Sequence, residues 1–213
     1  MSCHADVFEA NKRFAESHTS VDPSFFTNLS TDQSPGYLIV GCADSRVSPS
    51  LAGGFEPGTA FVVRNVANQV PVAAASSEDT SVTSAIVFGV KYLKVNHVVV
   101  CGHTCCGGVA AAMDPDGNLG PELEGWLTSL RALWRSHRDE LDAIEDGKLR
   151  AERMVEINVL QGVRNLAKMD VIKEAVAERG LTVSGWVYGL EDGLLRDLEI
   201  DFEQVSQEVA EEA

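Results

Sequence analysis

Tyr37-Leu38-Ile39-Val40-Gly41-Cys42 is an unbroken apolar run ending on a cysteine, with the polar Asp44-Ser45-Arg46 just beyond it. Such a run is the pattern of a strand buried in a parallel sheet. Working outward, Ala60 to Val66 gives a second strand around Phe61-Val62-Val63, and His97 to Cys101 a third around Val98-Val99-Val100. Between these two, Val82, Ile86, Gly89 and Leu93 recur at helical spacing. Two or three helices are expected over Gly107 to Arg179, with Asp114-Pro115-Asp116-Gly117-Asn118 as the segment of turn chemistry. Leu181 to Tyr188 supplies a fourth strand, Leu194 to Ile200 a fifth at an edge, and Val7 to Phe14 a short amphipathic helix. Strands alternating with helices define an α/β fold, a mostly parallel central sheet of four to five strands with helices on both faces.

No fixed-period repeat and no linker divides the chain, so residues 1–213 read as one domain. A helical arm over about 1–35 precedes the sheet, and an acidic tail over about 203–213 follows it. The 45% hydrophobic and 23% charged content is ordinary for a protein with its own core. A net charge of −15 argues against nucleic acid or an anionic membrane as partner. No apolar run reaches the roughly eighteen residues that a membrane span needs. Asp6, Glu9, Lys12 and Arg13 interrupt the first fourteen residues, unlike the apolar stretch of a signal peptide, and a cytoplasmic location is expected.

The five cysteines are Cys3, Cys42, Cys101, Cys105 and Cys106. An odd number in such a chain is no disulfide framework, which leaves metal binding, thiol chemistry or burial. Cys42 and the pair His103/Cys106 each follow a buried strand directly, and ligand sites in open α/β sheets form beyond the carboxyl ends of strands. If the first and third strands are neighbours, these residues converge. Alone, Cys42 reads as a small buried hydrophobe; with His103 and Cys106 it reads as a metal ligand. Two thiolates and one imidazole leave Zn2+ one open tetrahedral position, as in catalytic sites. Asp44 and Arg46, two apart beyond the strand, can form a fork in which the guanidinium keeps the carboxylate ionised and aimed. The plainer alternative is a surface ion pair of little consequence.

Three segments carry a family resemblance: Cys42-Ala43-Asp44-Ser45-Arg46-Val47, Phe61-Val62-Val63-Arg64-Asn65-Val66-Ala67-Asn68, and Cys101-Gly102-His103-Thr104-Cys105-Cys106-Gly107-Gly108. In this order they resemble the signature segments of the β-class carbonic anhydrases, and Ser184-Gly185-Trp186-Val187-Tyr188 is similar to a later strand of that family. The resemblance implies a zinc enzyme, a homodimer that often assembles further to a tetramer, and active sites at the subunit interface. It makes Asp44 and Arg46 the catalytic dyad. In the plant-type branch it makes Gln33 a hydrogen-bond donor to substrate and Phe61 and Val66 apolar lining.

Departures from that branch accompany the matches. Phe88 stands where a pocket tyrosine is expected, Tyr92 where a histidine is frequent, and Ile39 where relatives with an inhibitory bicarbonate site carry tryptophan, although Arg64 and Tyr188 remain. Cys105 is unusual beside Cys106; it reads as a pocket-wall or buried thiol and not as a ligand. The implied activity is addition of zinc-activated hydroxide to a linear molecule, foremost the hydration of carbon dioxide to bicarbonate. The pocket is Phe61, Val66 and Phe88, with Gln33 and the backbone at Gly107 steadying the developing charge. Some members of the family hydrolyse carbonyl sulfide, and the departures keep that activity as the rival. A non-catalytic zinc or redox protein would need a fourth protein ligand.

Overall fold

The computed structural model describes residues 4–48, 52–72 and 80–212; Cys3 lies outside them. The chain divides into two compact units, Met1–Ser34 and Pro35–Ala213.

In the first unit, helix α1 (Ala5–Thr19) runs five residues beyond the expected end and buries none of its side chains, and α2 (Phe25–Leu29) follows. Aromatic contacts tie the two together, with His18 4.4 Å from Phe14 and 4.6 Å from Phe25 between ring centres. Val7 and Phe8 stay exposed.

In the second unit, the apolar runs become strands β1 (Tyr37–Cys42), β2 (Ala60–Asn65), β3 (His97–His103), β4 (Thr182–Tyr188) and β5 (Leu195–Asp197). Their order in the sheet is β2-β1-β3-β4-β5. The first four are parallel and β5 pairs antiparallel with β4 at one edge. The helical segment before β3 is α3 (Ser81–Val87), which widens into a π turn over Phe88–Tyr92, marked by Leu93 N–H bonding Phe88 O at 3.1 Å. The wider turn changes the buried face: Val82, Ile86, Gly89 and Val90 go inside, and Leu93 is only half-buried.

Five helices, more than expected, link β3 to β4: α4 (Gly107–Met113), α5 (Gly120–Ser136), α6 (Arg138–Asp142), α7 (Gly147–Ala167) and α8 (Asp170–Arg179). The break after α4 falls on the predicted Asp-Pro-Asp-Gly turn, where the buried Arg131 bonds the carbonyls of Ala112, Asp114 and Gly117. Asp146 caps α7 through the N–H groups of Lys148 and Leu149. The expected acidic tail is helix α9 (Phe202–Glu211), which buries Val205 and Val209 and pairs Glu208 with Arg164 at 2.6 Å.

Most of the core lies between α7 and the sheet face bearing Leu38, Val40, Val98 and Val100. There α7 comes so near β3 that a Cβ on Gly102 would stand 2.7 Å from Val159. The opposite face holds a smaller cluster, Ile39, Val99 and Cys101, packed with Tyr37, Phe55, Trp186 and Leu195.

Candidate metal centre

Cys42 ends β1 and His103 ends β3, and the two strands are parallel neighbours, with Gly41 opposite Cys101. The chain then turns through Cys105, in the left-handed region at φ +56, to present Cys106 at the start of α4. Cys42, His103 and Cys106 thereby come together as a fully buried group whose ligand atoms lie within 4.8 Å of one another. The Sγ atoms of Cys42 and Cys106 are 3.9 Å apart. Two sulfurs on one tetrahedral zinc at about 2.3 Å each would be roughly 3.8 Å apart.

The polar surroundings are arranged for negative sulfur and a free imidazole nitrogen. Hydrogen bonding with Cys106 is the main cause that pushes the Cys42 thiol down to about 4; the N–H groups of Asp44 and Ala67 add to it against burial. The Cys106 thiol is pushed up, first by that same bond to Cys42 and then by burial, while the N–H groups of Val109 and Gly108 act in the opposite sense. A cation between the sulfurs would favour both as thiolates and displace their protons. His103 Nδ1 meets Thr104 O at 2.9 Å, which assigns the ring proton to Nδ1. Its Nε2, wholly buried, has no hydrogen-bond partner. An orphaned acceptor facing two sulfurs is costly without a cation and fits one well.

Asp44 and Arg46 stand beside this group as a fork. Arg46 Nε donates to Asp44 Oδ1 at 3.0 Å and Nη2 to Oδ2 at 2.7 Å, and Arg46 N–H reaches Oδ1 at 2.9 Å. Arg46 Nη2 also donates to Cys105 O at 3.1 Å, which gives the left-handed Cys105 a role. The guanidinium holds Asp44 well below the usual carboxylate range. Asp44 Oδ2 lies 3.9 Å from His103 Nε2.

Of the expected lining residues, Val66 reaches this neighbourhood: a Cβ on Gly108 would come 2.8 Å from its Cγ1. Gly107 is exposed, and a Cβ there would meet nothing within 4 Å. Phe61 and Phe88 are elsewhere in the chain. Phe61 pairs with Leu38, four residues before Cys42, about 13 Å back along the strand; Phe88 packs on it at 5.9 Å and on Tyr92 at 5.6 Å. Gln33 belongs to the first unit. Cys105 is exposed, so of the two expected readings, pocket wall or buried thiol, the second is not met; it is not in the ligand group. Sequence reasoning missed the turn Val66–Asn68, where Ala67 and Asn68 both have positive φ and Asn158 Nδ2 holds Ala67 O at 2.9 Å. That turn aims Ala67 N–H at Cys42; the tolerance of asparagine for left-handed backbone was its one signal.

A Cys-His-Cys donor set at adjacent parallel strand ends, with an ionised carboxylate beside it, is the arrangement of an α/β metalloenzyme. A carbonic anhydrase family model matches residues 37–195. A carbonic anhydrase of Emericella nidulans is 46% identical over 200 residues, 93% of this chain and 85% of that protein. A tetrameric β-carbonic anhydrase of Sordaria macrospora shares 37% identity at a TM-score of 0.88, covering 94% of this chain and 98% of that one. The β-carbonic anhydrase CafA of Aspergillus fumigatus shares 35% identity at 0.88, covering 98% and 97%. The chain belongs to the β-class carbonic anhydrases.

Proposed function

We propose that the protein catalyses the reversible hydration of carbon dioxide to bicarbonate and a proton, with Zn2+ held by Cys42, His103 and Cys106. The observation that carries this reading is the buried, unpartnered His103 Nε2 facing two sulfurs 3.9 Å apart. Zinc in such a site supplies Lewis acidity that makes water a nucleophile near neutral pH. Asp44, ionised and gripped by Arg46, accepts the nucleophile's proton as a hydrogen bond and so fixes the direction of its lone pair. The backbone N–H at Gly107 is assigned to the developing oxygen charge, and Val66 to the apolar wall. Among the described residues the ligand group has three members, and Asp44 is engaged by Arg46, which favours an open fourth position over a closed structural site.

Phe61 and Phe88 enter this reading through a second copy of the chain. β2 is a sheet edge, and Val66, Phe88 and Tyr92 beside it are exposed. Two copies of β2 paired antiparallel, with the two-fold axis placed at Val63, would set Phe61 of one near Asn65 of the other, and Asn65 lies opposite Cys42. A homodimer built this way, able to pair into the tetramer described for the Sordaria relative, would draw each pocket from two chains. The four described cysteines are all unpaired, which suits the reducing cytoplasm. Carbonyl sulfide hydrolysis, giving hydrogen sulfide and carbon dioxide, is the second reading, favoured by the wholly apolar contact of Phe88 with Phe61. Stopped-flow hydration of carbon dioxide and sulfide release from carbonyl sulfide, measured on one zinc-assayed preparation, test both; absence of hydration would overturn the first.

A further inference from the structure

Arg64 bears on the candidate site without offering a ligand atom to it. It sits on β2 opposite Gly41, where the neighbouring strand offers no side chain to obstruct it. Its Nε donates to Cys42 O at 2.9 Å, and its Nη2 donates to Asp44 O at 2.7 Å and to Val47 O. One side chain thus holds three carbonyls of the segment that carries a metal ligand and both members of the dyad.

The Asp44–Arg46 fork closes between residues two apart, so it can form wherever that segment travels. Within the fork, Arg46 Nη2 alone ties it to the ligand turn, through Cys105 O two residues beyond His103. The path of residues 42–47 sets where Asp44 stands, and Arg64 is a side chain that fixes this path from the neighbouring strand, beside the backbone bond of Ala43 N–H to Asn65 O at 2.8 Å. A planar guanidinium can reach several carbonyls from one rigid plane, whereas a lysine ammonium is a compact donor on a flexible stem. Both Nε and Nη2 of Arg64 are turned onto backbone oxygens.

We infer that Arg64 is a positioning residue, which aims the Asp44–Arg46 pair at the metal centre by holding the carbonyls of Cys42, Asp44 and Val47. This rests on the proposed catalytic role of that pair, and goes beyond it by naming what orients the pair.

The test compares Arg64→Gln and Arg64→Lys with the wild type in zinc content, steady-state kinetics and the nitrogen–proton resonance of Arg46 Nε. Both variants are expected to keep about one zinc per chain, since the three ligands are intact. The turnover number should fall between about tenfold and a hundredfold, with KM changed far less, as misaimed groups lose rate more than binding. The Arg46 Nε resonance should move toward that of a free guanidinium in both, although neither Arg46 nor Asp44 is altered. Asp44→Asn combined with Arg64→Gln should be no slower than Asp44→Asn alone. An unchanged resonance would overturn the inference. So would loss of zinc in both variants, additive losses in the double variant, or full activity in Arg64→Lys alone, which would mark the charge as what matters. Should Arg64→Gln fail to fold, Arg64→Lys carries every readout. If the wild type hydrates no carbon dioxide, the proposed reaction falls, and the resonance still decides the positioning role.

Discussion

His103 illustrates how much of this centre is decided by single atoms. Its Nδ1 is committed to Thr104 O, and Thr104 is itself fixed through its N–H to Tyr188 O and its Oγ1 from Leu190 N–H, both at 2.9 Å. The ring cannot turn without breaking that set, so Nε2 stays aimed between the sulfurs. Purified protein is therefore expected to carry about one zinc per chain. Cys42→Ala, His103→Ala and Cys106→Ala should each lose it in metal analysis; full activity of a metal-free preparation would refute the assignment. Asp44→Asn should instead keep zinc and lose about a hundredfold or more in turnover, because geometry survives and the acceptor does not. The sign of the pH dependence follows from the depressed native value of Asp44. Its ion pair is fully in place above the ordinary value of about 3.9 and weakens only as pH falls through the lower native value. Infrared titration of the Asp44 carboxyl should thus show it ionised throughout pH 5 to 8, and activity lost in that window must come from another group. The convergence of Cys42, His103 and Cys106 and the pairing of Asp44 with Arg46 were legible because cysteine, histidine, aspartate and arginine rarely crowd strand ends without a reason. The grip of Arg64 was not legible, since its partners are backbone carbonyls that no residue type announces.

Elements differ in how far the sequence betrays them. β1, β3 and β4 were visible as apolar runs because a strand covered on both faces admits little else. The π turn at Phe88–Tyr92 was not, because one added residue per turn changes the phase of a helix without changing its composition. The number of helices after β3 was underread for a related reason. The break between α5 and α6 falls at His137, at φ −107 and ψ 17, a position that neither proline nor glycine marks. Packing governs the contact between β3 and α7, where Gly102 lies against Val159 and Val155. Gly102→Ala would push its Cβ to 2.7 Å from Val159 and 3.0 Å from Val155, so α7 or the end of β3 must move. Chemical denaturation should show a loss of about 1–3 kcal/mol. Because Gly102 adjoins His103, zinc affinity measured against a chelator should fall as well. An unchanged denaturation midpoint would show that α7 gives way freely.

At the scale of the whole molecule, the acidic balance and the absence of a membrane-length helix among the described residues restrict the partners more than they identify them. The assembly matters more for substrate choice. Phe61 sits about 13 Å back along the sheet edge from its own metal centre and Phe88 packs on it, so the effect of this pair on substrate is assigned to the neighbouring subunit of the proposed dimer. Rapid carbon dioxide hydration depends on export of a proton, which a histidine or a hydroxyl near the centre assists. Phe88 and Tyr92 stand where the plant-type branch has such groups, and Phe88 turns an apolar ring onto Phe61. Carbonyl sulfide needs less speed, and its sulfur gains from an apolar wall. Exchanging one hydroxyl for hydrogen in such a wall shifts relative binding by about 1 kcal/mol, or several-fold in selectivity. The wild type should therefore release sulfide from carbonyl sulfide measurably and hydrate carbon dioxide more slowly than plant-type relatives. Phe88→Tyr should move the ratio of the two rates several-fold toward carbon dioxide, and should do so only at concentrations where sedimentation shows the dimer. Fast hydration with no sulfide release would end the second reading, and an equal shift in a monomeric preparation would end the placement of Phe88 across the interface.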